Sequence, residues 1–149
     1  MTDDPGISAS LARILVSDRQ TLPVDEAGLV DLARTTLLGE GLGAVELSVS
    51  FVDDAEMEEL HVRYMDEEGP TDVLSFPLDE EEHHGVRVLG DVVIAPAVAA
   101  RNNPEDPSAE LRLLLVHGIL HLLGYDHEAD AEKAEMWARQ ERYSGVRAP

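Results

Sequence analysis

The run His117-Gly118-Ile119-Leu120-His121-Leu122-Leu123-Gly124-Tyr125-Asp126-His127 constrains this chain more than any other stretch. Three of the six histidines fall within these eleven residues, at i, i+4 and i+10, with a glycine at i+7. An α-helix turns by about 100° per residue, so side chains four apart stand nearly above one another. His117 and His121 therefore project from one face of a helix and can share one ion. Gly124 offers a left-handed, helix-ending turn that a side chain would resist. The chain can then swing back and bring His127 to the same place. Three neutral imidazoles with one position left open are the ligand set of a catalytic zinc site rather than a closed structural one. Imidazole also suits other divalent metals, so zinc is a preference of this ligand set and not a proof.

The chain has no cysteine. That removes thiolate ligands and any disulfide framework, and leaves His, Asp and Glu to hold a metal. A ligating imidazole needs an acceptor for its other ring N–H, and Asp126 is a candidate for that role. The histidine spacing is also that of the longer His-Glu-x-x-His metalloprotease signature, in which a third His follows after a glycine. The Glu of that signature takes the proton from zinc-bound water. Gly118 stands in its place. A peptidase without its base would lose orders of magnitude in rate, so the ligand geometry can be shared while the chemistry is not.

At 149 residues the chain suits one domain, over 1–149, with a full core. Its 44% hydrophobic and 28% charged residues fit a soluble globular protein. No stretch is apolar for long enough to span a bilayer. The start, Met1-Thr2-Asp3-Asp4-Pro5, lacks the basic and apolar regions of a signal peptide, and the expected location is cytoplasmic. The formal net charge of −20 argues against a non-specific grip on nucleic acid, which needs clustered cations. It leaves room for a local basic groove.

Periodicity predicts strands and helices mixed early, with two helices at the end. A strand is expected within 8–17 and a helix over 25–39, stopped by Gly39. Val45, Leu47, Val49 and Phe51 alternate with polar residues and predict the clearest strand. Asp53 or Asp54 caps a helix carrying Met57, Leu60, His61 and Tyr64, which Gly69-Pro70 breaks. Short strands follow at 73–76 and 86–94, the second interrupted by Gly90. Pro96 opens a short helix, Ser108 caps an apolar one over about 109–123, and an amphipathic helix covers 129–143. His83 and His84 fall in an acidic, solvated loop, and His61 reads as a core or boundary residue. The predicted class is α+β, a sheet covered by helices.

The run 117–127 resembles the signature of the YbeY family of bacterial endoribonucleases, His-Gly-x-Leu-His-Leu-x-Gly-Tyr-Asp-His. Pro70-Thr71-Asp72-Val73-Leu74-Ser75-Phe76-Pro77 and Leu89-Gly90-Asp91-Val92-Val93-Ile94 resemble two further blocks of that family, in the same order. The resemblance spans about residues 45–127. It implies a zincin-like fold with a small mixed sheet of about four strands and about five helices. It implies one Zn2+ held by His117, His121 and His127. The implied activity is single-strand-specific RNA cleavage in 16S rRNA 3'-end maturation and ribosome quality control, with rRNA, the ribosome or ribosomal proteins as partners and no nucleotide cofactor. Many family members carry an Arg after the aromatic residue that precedes the strand block. Here Tyr64 is followed by Met65. Arg63 or another Arg supplies that cation, or this branch manages without one. Arg63 and Asp126 are thus the candidate catalytic residues.

A three-histidine zinc site lowers the pKa of its water to about 7 and acts as a Lewis acid, so a phosphodiesterase has less need of a separate base. That fits Gly118. Ser75 either contacts substrate or is a buried hydroxyl bonded to backbone; Asp72 caps or hydrogen-bonds locally. Two other readings stay open: a peptidase-like hydrolase of another substrate, and a non-enzymatic ribosome assembly factor with a structural metal.

Overall fold

Alternation at 45–52 produces the most buried strand of a four-stranded sheet. The computed structural model describes residues 12–65, 71–78, 86–125 and 129–146. In chain order these form β1 (Arg13–Arg19), α1 (Glu26–Gly39), β2 (Val45–Val52), α2 (Asp54–Met65), β3 (Val73–Pro77), β4 (Arg87–Ile94), α3 (Pro96–Asn102), α4 (Pro107–Leu122) and α5 (Asp130–Ser144). The strand order is β1-β2-β4-β3. β1–β2 and β2–β4 are parallel and β3–β4 is antiparallel. The sheet is mixed, as expected, and β3 lies at its edge. The register slips by one where Glu46 faces Val88 and Leu47 faces Gly90, which is the interruption foreseen at Gly90.

Two element boundaries differ from expectation. β1 runs on to Arg19 although the apolar pattern ends at Val16, because Ser17, Asp18 and Arg19 pair with Ser50, Phe51 and Val52 of β2. A ladder needs backbone partners, not apolar side chains; residues 8–11 lie outside the described part. α4 starts at Pro107, and its cap is Asp106 rather than Ser108, since the Asp106 carboxylate accepts from the Ala109 N–H at 3.0 Å. Proline has no N–H to lose and a preset φ, which suits the first helical position. At α2 the choice falls on Asp53, whose Oδ1 accepts from the Glu56 N–H at 2.8 Å.

One face of the sheet packs against α1 and α4. Leu47, Val49, Phe51, Val92 and Ile94 meet Leu29, Ala33, Leu37, Leu115 and Ile119, all buried. Val52, Leu74 and Val93 form a smaller cluster with Met57 of α2. Each such side chain contributes about 1.5–3 kcal/mol on burial. α5 joins α4 through Val116, Leu120 and Met136. α4 is apolar on nearly every side because sheet, α1, α3 and α5 enclose it. Its first turn, at Pro107 and Ser108, is exposed, and its last turns line an open groove. Among the described residues no helix is long and apolar enough to cross a membrane.

Candidate metal centre

The last two turns of α4 present His117 and His121 to an open groove of about 530 Å3 whose other wall is β3 and the residues before it, from Thr71 to Pro77. The two rings lie edge to face, 4.6 Å between centroids. Both are half-buried. His117 Nδ1–H donates to Oε1 of Gln140 at 2.7 Å, and Gln140, on α5, is 2% exposed. The Trp137 ring stands nearly perpendicular to the same imidazole, 5.8 Å between centroids. A proton fixed on Nδ1 makes Nε2 the ligating nitrogen. The donor set therefore fits a divalent metal. Among the described residues no three His, Asp or Glu side chains come together as a cage, and His127 lies outside them.

Gly118 faces the sheet. A Cβ there would stand 2.6 Å from Cγ1 of Val92 and 3.2 Å from Oγ of Ser75. Val92 is fully buried in β4 and β-branched, so it has little freedom to yield. The hydroxyl of Ser75 donates to the Gly118 carbonyl at 3.0 Å and ties β3 to the helix. The position that holds the base in the protease signature is thus occupied by the sheet.

Past the helix, Gly124 takes φ +99°, the left-handed turn expected there, and the Tyr125 N–H returns to the Leu120 carbonyl at 3.0 Å. The Tyr125 hydroxyl donates to Glu40 at 2.6 Å. That bond, with burial and the Glu40 charge, pushes the phenol up to about 12. Burial pushes the Glu40 carboxyl up, but donation from Tyr125, Tyr143 and Arg139 outweighs it and holds the group below the usual carboxylate range.

The Endoribonuclease YbeY family model matches residues 17–145. The chain belongs to the YbeY family. It is 46% identical over 138 residues to an Endoribonuclease YbeY of Streptomyces coelicolor, covering 84% of each chain. It is 49% identical over 140 residues to one of Acidothermus cellulolyticus, covering 84% of this chain and 85% of that one. The fold is similar to the solution structure of TM1509 from Thermotoga maritima, with a TM-score of 0.57 and 30% identity over 90% of this chain and 87% of that one. The α+β, zincin-like layout of four strands and five helices among the described residues is the one the YbeY resemblance implied.

The remaining candidates divide. Asp126, His127, His83 and His84 lie outside the described residues, as do Asp79–Gly85 and Gly69-Pro70. Arg63 sits on exposed α2, pairs with Glu59 at 3.0 Å, and lines a different groove from the histidines. Ser75 has the backbone-bonded role and also lines the histidine groove. Asp72 does not bond locally as expected: its carbonyl accepts from the distant Ala95 N–H at 3.0 Å and its carboxylate from Asn102 at 3.3 Å, and it lines the histidine groove with Ser75. His61 is half-buried. Sequence reasoning missed Gln140 and Glu40. The signal for Gln140 was present, a neutral polar residue four positions after Met136 on the buried stripe of α5. Glu40 gave none, being one of 31 acids and adjacent to a helix stop.

Proposed function

We propose that this chain is a zinc-dependent, single-strand-specific endoribonuclease that acts in 16S rRNA 3'-end maturation and ribosome quality control. The observation that carries the reading is His117 held through Nδ1 by buried Gln140, with His121 beside it, in a groove open to substrate on a YbeY-family chain. Ligands set in this way suit one Zn2+ on His117, His121 and His127. Bound there, the ion would supply Lewis acidity and a water of lowered pKa. The chain's own residues do the rest. Gln140 keeps the Nδ1 proton on His117, Ser75 fixes the groove wall to α4, and Gly118 places no carboxylate near the reaction. Asp126 remains the candidate for moving a proton; Arg63 lines a different groove and pairs with Glu59, which speaks against a part in stabilising phosphoryl charge at the metal.

The net charge of −20 supports approach to the rRNA through basic ribosomal proteins rather than bare RNA. A cytoplasmic, single-domain protein without nucleotide cofactor suits that role. A second reading, a peptidase-like hydrolase, draws on β3, an edge strand beside the groove able to pair with an extended peptide; Gly118 packed on Val92 opposes it. The test is cleavage of single-stranded RNA by purified protein. Cleavage should stop with a chelator and return with Zn2+, and His117→Ala should lower the rate by at least about a hundredfold. RNA left intact with and without metal, or peptides turned over faster than RNA, overturns the proposal.

A further inference from the structure

The carboxylate of Glu40 collects three donors from far along the chain. It directly follows α1, and its side chain is only 5% exposed. Oε1 accepts from Tyr125, 85 residues on. Oε2 accepts from Nη1 of Arg139 at 2.7 Å and from the Tyr143 hydroxyl, 99 and 103 residues on. The Arg139 guanidinium also lies 5.1 Å from the centre of the Tyr125 ring. Gly39 makes room for this meeting, since a Cβ there would stand 2.4 Å from the Tyr143 ring.

The placement of these partners gives the cluster its meaning. Tyr125 precedes His127 by two residues, and Arg139 is next to Gln140, the residue that holds His117. Glu40 thus fastens both the chain that leads into one expected ligand and the helix that orients another, from outside the groove. A buried ionic network adds little stability over an apolar replacement of the same shape. What it supplies is direction, because hydrogen bonds fix angles where apolar contacts do not.

We propose that Glu40 is a positioning residue for the metal cradle, acting through the Tyr125 hydroxyl on the His127 side and through Arg139 on the Gln140 side. The inference rests on the reading of His117, His121 and His127 as ligands. Loosening either attachment should weaken metal binding while leaving the fold in place.

The experiment uses the full chain and two probe metals. Metal-free protein is titrated with Zn2+ against a chromophoric chelator, and the visible spectrum of the Co2+ form reports the ligand set. Glu40→Gln and Tyr125→Phe should each lower Zn2+ affinity by about tenfold and change the Co2+ bands. The double variant should lose less than the product of the two single losses, because the two groups act partly as one unit. Each variant should still melt cooperatively without metal. Glu56→Gln, which breaks the surface pair with Arg19 (2.6 Å), should leave the affinity unchanged and serves as the charge-matched control. If Glu40→Gln does not fold, Tyr125→Phe decides, since it keeps the ring and removes only the hydroxyl. Affinity within about twofold of the parent in the folded variants, with an unaltered Co2+ spectrum, overturns the positioning role alone. A parent chain that binds neither metal overturns the ligand reading and this inference with it.

Discussion

α4 is held at its histidine segment by two unlike contacts. Toward the sheet the contact is apolar and close, Gly118 against Val92, with the single hydroxyl bond from Ser75. Toward α5 and the end of α1, polar and directional contacts are added to the apolar packing of Val116, Leu120 and Met136: Gln140 on His117 and Glu40 on Tyr125. Dispersion contacts are short-ranged and insensitive to angle, so the sheet side sets how near the helix lies. Hydrogen bonds weaken steeply when misaligned, so the α5 side sets how the imidazoles turn. A metal site needs both, and this chain obtains them from opposite sides of one helix.

The apolar side breaks most severely. Gly118→Glu would complete the protease signature in sequence but not in space. The new side chain would drive into Val92 and Ser75, placing a carboxylate against a dry wall. It should destabilise the protein by about 3 kcal/mol or more, measured by urea unfolding, and yield no peptide hydrolysis. Gly118→Ala tests the steric part alone. The clash should be relieved in a Val92→Ala background, where the alanine's better helix propensity, about 1 kcal/mol, becomes visible. A Gly118→Glu protein as stable as its parent and active on peptides would show that the sheet does not close this position.

The two sides also differed in how far they could be read in advance. β2, α1 and α2 followed from periodicity, because burial on one face imposes it, and α4, enclosed on nearly every side, followed from its apolar run. His117 and His121 followed from helical spacing. The reason for Gly118 did not. A missing glutamate says what chemistry is lost, whereas the approach of Val92 depends on the β4–α4 distance, a tertiary quantity. β1 ran past its apolar pattern because strand pairing set its end. Asp106 displaced Ser108 because Pro107 suits the first turn. Glu40 was illegible because its partners lie 85 to 103 residues away. Gln140 lay on a stripe that could be drawn, but its partner could not.

On the polar side, the bond from His117 to Gln140 should matter more for metal than for stability. Gln140→Leu keeps the volume and removes the acceptor, leaving the Nδ1 proton unpaired. Zn2+ affinity should fall by about 10- to 100-fold, or about 1.4–2.7 kcal/mol, by chelator competition. Gln140→Glu keeps an acceptor and adds charge, which raises ligand basicity, so its affinity should equal or exceed the parent's. Equal weakening by both variants would mean that Gln140 only fills space, and the division between a distance-setting and an angle-setting side would fail.

The smallest effect should come from pH, and it should appear on the polar side alone. The Glu40 carboxyl is held below its unfolded value, so its contribution is present above the ordinary carboxylate pKa and disappears as pH falls through the lower folded one. The Tyr125 phenol moves oppositely, from 10.0 to about 12, chiefly because it donates to Glu40. Its contribution is complete below pH 10 and is lost as pH rises toward 12. Tyr143 is raised as well, by burial and then by the same carboxylate, and adds to the alkaline loss. Glu40 itself is buried, but the Arg139 side chain beside it is 32% exposed and lets solvent screen the cluster, so the Tyr125 share should amount to no more than about 1 kcal/mol. Urea unfolding from pH 7 to 11.5 should show a shallower alkaline decline in Tyr125→Phe than in the parent. Val92→Ala, altered only on the apolar side, should be less stable at every pH but decline with the parent's slope. Matching slopes in parent and Tyr125→Phe would remove the phenol from the alkaline limb and leave Tyr143 to account for it.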